Sequence, residues 1–239
     1  MDLLTNAEIA AAGLADWRKL GQALHGRYAV ADLAAGGRLL AAVADAAEEV
    51  GAVGPAAPRV TAHGGHVDLR LVSPDAVHRD AAGVEHVVEW VTQRDVDLAR
   101  RITELAGEQG AVPEPGSVTT IELALDTARS ALLAPVWAAL LTGSPQGAGA
   151  GAGGGDVWDA TGQVPLLWFQ DTEPHEPPRQ RFHVDVWVAP EVAEERIAAA
   201  VAAGGIVVDD SQAPAYTVVA DVDGNKACVC TSSPARDAW

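Results

Sequence analysis

The 239-residue chain carries 33 Asp and Glu against 16 Lys and Arg, a formal charge of −17. Such a surface repels phosphate backbones and anionic lipid, which excludes nucleic acid and membrane surfaces as partners. With 49% hydrophobic residues, the chain is long enough for two small domains, and it has no apolar run of membrane-spanning length and no charged-then-apolar leader.

The charge is uneven: residues 1–107 sum to −5 and residues 108–239 to −12. Cys228 and Cys230 are the only cysteines. Two apart on a predicted strand, they point the same way and are poorly placed for a bridge. Reduced thiols and a cytoplasmic location are expected. A C-x-C pair without nearby histidines is a poor zinc site.

In chain order, Thr5 to Glu8 has the spacing of a capping box and opens a short helix that Gly13 ends. Residues 17–20 and 23–30 read as a strand pair around Gly21. Asp32 caps a long helix to about Val50, with Leu40, Val43, Ala47 and Val50 on one stripe and Gly36-Gly37 as its weak point. Residues 58–75 then form two strands joined at Gly64-Gly65, where positive φ permits a tight hairpin. Val67, Leu69 and Leu71 alternate with Asp68, Arg70 and Val72, so one face is buried. Ala76 to His86 reads as a loop. Thr92 caps a third helix with Val96, Leu98, Ala99, Ile102 and Leu105 buried.

Residues 107–117 hold three glycines and two prolines and read as a linker between domains 1–107 and 118–239. Beyond it, strand 118–125, helix 129–142, a Gly/Ala loop at 143–155, and strands 156–160 and 164–170 make one module. Strand 181–188, helix 190–203, and strands 206–209, 215–220 and 226–231 make a second, with a turn at Asp223-Gly224. Two successive βαβββ modules predict a barrel-like sheet pair around a cavity. The predicted fold class is α+β throughout.

Residues 4–105 resemble the pterin-4a-carbinolamine dehydratase family through LTNAEI, DWRKLGQALHGRYAVADLAAG, AEEVG, PRV…GGHVDLRLVS and WVTQRDVDLARRI. The resemblance implies an antiparallel sheet with helices on one face, assembly as a dimer or tetramer with a homodimer the simplest case, and removal of water from 4a-hydroxytetrahydropterin. That chemistry needs proton carriers, which the family supplies as histidines. The matching positions here are Ala56, Ala57 and Pro74, none of which can carry a proton. Asp75 matches an aspartate that follows the last of these histidines. His63 and His66 flank the hairpin turn. His78 and His86, with Asp80, Glu85 and Glu89, are the candidates for relocated acid–base groups.

Residues 117–232 resemble the glyoxalase-like branch of the vicinal-oxygen-chelate superfamily through PLLWFQ, QRFHVDVWV, AAGG and YTVVADVDGNKACV. Metal-dependent members of that superfamily carry His and Glu ligands at the start and end of each module. The matching positions offer Thr119, Thr120 or Glu122, then Gln170, His183 and Cys228. One imidazole with an amide and a thiol is a weak set, so no metal or other cofactor is expected. Arg181, His183 and Asp185 share one strand face, and Trp168 and Gln170 share another. These residues and Cys228 are the candidate ligand contacts, with His183 and Asp185 a candidate base and its orienting group.

Three readings follow. The first is a two-domain protein that binds a small organic ligand, pterin-like if the first resemblance extends to ligand. The second is a lyase with relocated acid–base residues, and the third a metal-free enzyme acting in the second cavity.

Overall fold

The computed structural model describes residues 1–131, 133–134, 137–138, 155–157, 165–174, 182–202, 204–220 and 226–232. The chain divides into two compact units. One comprises 1–119 with 188–192 and 231 onward; the other comprises 120–187 and 193–230. The fold is mixed helix and sheet in both.

In the first unit, the Thr5 capping box starts α1 (Asn6–Ala11), and Gly13 reverses the chain at φ +68°. Strands β1 (Trp17–Leu20), β2 (Ala23–Ala29), β3 (Arg59–His63) and β4 (His66–Leu71) form an antiparallel sheet in the order β1-β2-β4-β3. Asp32 accepts the Ala35 amide and starts α2 (Leu33–Glu49), which runs unbroken through Gly36-Gly37. Gly36 is there for packing: a Cβ at this position would stand 3.3 Å from the Val67 side chain. Thr92 and Asp95 cap α3 (Gln93–Glu108) reciprocally.

The sheet's two faces differ sharply. Leu24, Tyr28, Val67, Leu69 and Leu71 pack under Leu39 and Val43 of α2 and Val96, Leu98 and Ile102 of α3. Burying aliphatic side chains of this size stabilises the fold by roughly 1.5–3 kcal/mol each. On the opposite face, register aligns Arg18, His25, Arg70 and Arg59 in one row across four strands. Like charges in direct opposition repel, and this row is held by counter-charges. Arg70 pairs with Glu89, and Arg27 in the next row pairs with Asp68 and Glu114.

The expected loop at 76–86 is instead a hairpin of β5 (Ser73–Arg79) and β6 (Glu85–Trp90). Asp80 builds its turn by accepting the Ala82 and Val84 amides at 2.9 Å. The Pro/Gly-rich stretch at 107–117 contains β7 (Val112–Pro113), which pairs with β2, and a 3-10 turn at Pro115–Ser117.

The second unit holds β8 (Thr119–Thr127), β9 (Leu167–Asp171), β10 (Phe182–Val188), α4 (Pro190–Ala202), β11 (Ile206–Asp209), β12 (Tyr216–Ala220) and β13 (Lys226–Cys230). Some terminal residues of these elements cluster with the first unit. The six strands form one sheet in the order β11-β12-β13-β10-β8-β9. Within it, β8 and β9 are parallel, and so are β10 and β13. Each predicted module therefore has its first strand beside its last. Leu125, Leu167 and Phe169 project to one side and pack with Ala134 and Ala138, from helical residues that follow β8. At the sheet's edge, all four residues of β11 are exposed, including Ile206, Val207 and Val208. The Gly/Ala loop at 143–155, apart from Gly155, lies outside the described residues, as do Arg181 and the Asp223-Gly224 turn. Among the described residues no helix is long and apolar enough to cross a membrane.

Candidate functional site

The polar candidates of the second unit sit on the sheet face opposite that apolar core. Period two puts Glu122, Ala124 and Asp126 together on β8, and His183, Asp185 and Trp187 together on β10. Register then adds their neighbours: Trp168 lies beside Ala124, Gln170 beside Asp126, and Cys228 beside Asp185.

His183 is the centre of this face. Its Nδ1 lies 3.2 Å from Asp185 Oδ1, a hydrogen bond. Its Nε2 lies 3.5 Å from Asp126 Oδ1, within ion-pair distance but without hydrogen-bond geometry, and both atoms are buried without another hydrogen-bond partner among the described residues. The Trp168 ring meets the imidazole edge to face, 5.5 Å between centroids. Asp185 is 93% buried, so its charge is poorly screened. Hydrogen bonding to Asp185 and then to Cys228, with the charges of Asp185 and Asp126, overcomes burial and pushes the His183 pKa up to about 10. The imidazole is therefore a cation at neutral pH, the positive charge that two carboxylates share. Nearby, buried Glu122 accepts the Trp187 indole N–H at 2.8 Å.

Asp126 was missing from the sequence candidates. The predicted strand stopped at Leu125, whereas β8 continues to Thr127. Its spacing of four from Glu122 on a period-two face was the signal that could have found it. Asp185 and Asp126 together change the donor count. The metal-free expectation weighed one imidazole, an amide and a thiol. The fold brings ligand atoms of His183, Asp185 and Cys228 within 4.8 Å of one another, with Asp126 Oδ1 ion-paired to His183 Nε2 at 3.5 Å. These atoms could hold a metal ion only if the His183 proton were first displaced.

The first unit's candidates are dispersed. Ala56 ends a 3-10 turn at Gly54–Ala56, and Ala57 follows it. A cavity of about 320 Å³ lies beside Ala57 and Pro58, lined by Val43, Ala47, Ala52, Val53 and Val60. Glu48 is the only charged residue of this lining. Asp75 is ion-paired with Arg94 at 2.6 Å. Burial opposes its ionisation, but the hydrogen bond and charge of Arg94 outweigh burial and hold its carboxyl below the usual range. His78 and His86 are direct cross-strand partners on the β5–β6 hairpin, with ring centroids 6.3 Å apart, and His86 Nε2 lies 3.1 Å from Asp80. His63 and His66 flank the β3–β4 turn and lie beside Asp68 and Glu114.

Residues 122–230 match the family model described as a glyoxalase-like domain. This supports the vicinal-oxygen-chelate resemblance of the second half. No curated protein matches the chain. The dehydratase resemblance of residues 4–105 finds no support in these comparisons.

Proposed function

We propose that the chain is a small-molecule-binding protein and that the face built from β8, β9, β10 and β13 is its recognition surface. One observation carries this reading: the half-buried His183 imidazole, flanked by Asp126 and Asp185, stands against the Trp168 ring. An aromatic surface beside fixed charges is how compact ligand sites gain both area and orientation. Counting His183 as +1 and the two aspartates as −2, the local charge is −1, so the surface favours neutral or cationic organic molecules over anions.

The His183 proton also bears on mechanism. A general base must be free to accept a proton at working pH. An imidazole whose pKa is pushed up to about 10 already holds one. Its role here is donation: Nε2 offers a proton to a ligand acceptor while Asp185 fixes the ring. In this reading residues 1–119 act as scaffold, because Ala56, Ala57 and Pro74 supply no acid–base group. The paired barrel implied by the second resemblance would close the strand order around this face.

The test is equilibrium binding to the full chain, read by tryptophan fluorescence, against neutral and cationic aromatic compounds with carboxylates as a counter-screen. Trp168→Phe identifies the responding indole. Binding that disappears in His183→Ala supports the reading. Hits bound equally by wild type and His183→Ala, or bound only as carboxylates, would sink it.

A further inference from the structure

The cavity of about 320 Å³ beside Ala57 and Pro58 is built by small side chains. Four alanines line it, Ala44 and Ala47 from α2 and Ala52 and Ala57 from the segment that follows. Where such methyls meet, the space that larger side chains would fill stays open. Val43, Ala47 and Ala52 are buried and make the floor, while Val53 is exposed at the rim. Apart from Glu48, every lining residue is aliphatic or a glycine. The volume lies at the small end of ligand sites, which run from about 300 to 1,000 Å³. The electrostatics have one sign. Glu48 and Glu49 stand in the last turn of α2, which holds no basic residue. The carbonyl end of a helix carries a partial negative charge that Lys, Arg or His commonly answers. Here two carboxylates add to it instead, and one of them lines the cavity.

We infer that this cavity binds a small organic cation, an amine carried on a single aliphatic or aromatic ring. The ring gains by leaving water for the aliphatic floor. The ammonium group stays at the mouth, where Glu48 and the end of α2 answer its charge. An anion would meet charge of its own sign. A bare metal ion takes several oxygen ligands, and Glu48 is the one carboxylate in the lining. The resemblance of residues 4–105 implies instead a pterin, a flat ring edged with hydrogen-bonding nitrogens and a carbonyl. Aliphatic side chains leave such edges unsatisfied, a cost that a hydrocarbon ring avoids. Ala57 brings no proton carrier, so the site binds and does no chemistry. Nothing in it depends on the face built from β8, β9, β10 and β13.

The test is methyl NMR of the full chain, with benzylamine as the probe and benzyl alcohol and benzoate beside it. Saturable shifts of the Val43 and Val60 methyls are expected with benzylamine, weaker ones with benzyl alcohol and none with benzoate. Glu48→Gln should weaken benzylamine about two- to fivefold, the factor an exposed charge pair supplies, and leave benzyl alcohol unchanged. Ala57→Leu, at an exposed position, fills the mouth and should abolish binding of both. No wild-type shifts, benzoate bound as tightly as benzylamine, or unchanged benzylamine affinity in Glu48→Gln overturns the inference. Shifts that survive Ala57→Leu also overturn it, and should that variant fail to fold, Glu48→Gln decides. Shifts retained in His183→Ala support a site of its own in the first unit, whereas shifts lost there overturn it.

Discussion

His25 in the first unit and His183 in the second both stand on the polar face of a sheet, and their surroundings drive them to opposite charge states. His25 lies in the row of Arg18, Arg70 and Arg59. Burial, with the charges of Arg70 and Lys19, pushes its pKa down to about 3. His183 lies between Asp185 and Asp126 and is pushed up to about 10. Burial opposes the charged form in both; at His25 the cationic neighbours add to it, and at His183 the acidic neighbours overcome it. The difference also separates the two faces by use. In the first, Arg27, Arg70 and Arg18 all have carboxylate partners, and the charges are spent on one another. In the second, buried polar atoms face each other without a hydrogen bond.

The largest expected break in this comparison is Asp185→Asn. It removes the main hydrogen-bonding charge on His183, so that residue's pKa should fall from about 10 by at least ~1 unit. Imidazole nitrogen shifts followed by NMR through a pH titration measure it. An unchanged His183 pKa would mean that Asp126 or Cys228 carries the effect.

Next comes the pH dependence of stability, whose two windows have opposite sign. For His25 the folded pKa lies below the ordinary 6.5, so the unfolded chain takes the proton first. Its contribution is intact above about 6.5 and lost as pH falls towards about 3. For His183 the folded pKa lies above 6.5, so its contribution is intact below about 6.5 and lost as pH rises through about 10. Denaturant melts across pH should show His25→Gln flattening the acid limb and His183→Gln the alkaline limb. Both variants altering the same limb would contradict the assignment.

Smaller effects sharpen the contrast within the first unit. Gly26 faces the Trp17 ring, where a new Cβ would come within 3.0 Å. Gly26→Ala should cost roughly 1–3 kcal/mol in urea unfolding while leaving the His183 titration unmoved. Arg70→Met should raise the His25 pKa. Its loss of the part-exposed pair with Glu89 should cost only about 0–1 kcal/mol. NMR titration and chemical denaturation of the same sample check both halves of that expectation.

Much of the framework was legible in the chain. Thr5-Glu8 and Thr92-Asp95 cap their helices, and alternation at 67, 69 and 71 marked the buried face of β4. The β5–β6 hairpin was not legible, because its sequence lacks the apolar/polar alternation that betrays a strand. Val77, Val87 and Val88 break the period, and Val87 is 68% exposed. In the candidate site, period two was enough to put His183 with Asp185 and Trp168 with Gln170. It could not give the register across β8, β10 and β13 that brings Asp126 and Cys228 alongside His183 and Asp185, because that register is set by residues far apart in sequence. The charge on His183 was hidden for the same reason.

The exposed edge strand β11 has a consequence for handling the protein. Ile206, Val207 and Val208 present a short aliphatic ribbon that, among the described residues, pairs only with β12, leaving its outer side a ready template for another strand to add to. Two acidic gatekeepers, Asp209 and Asp210, follow it at once. The Ser211 backbone amide holds the Asp209 carboxyl below the usual range, so this guard persists into mild acid. The chain as a whole loses its net charge near pH 4.6. Light scattering should therefore stay flat at neutral pH and rise near that point, and sooner in Asp209→Asn.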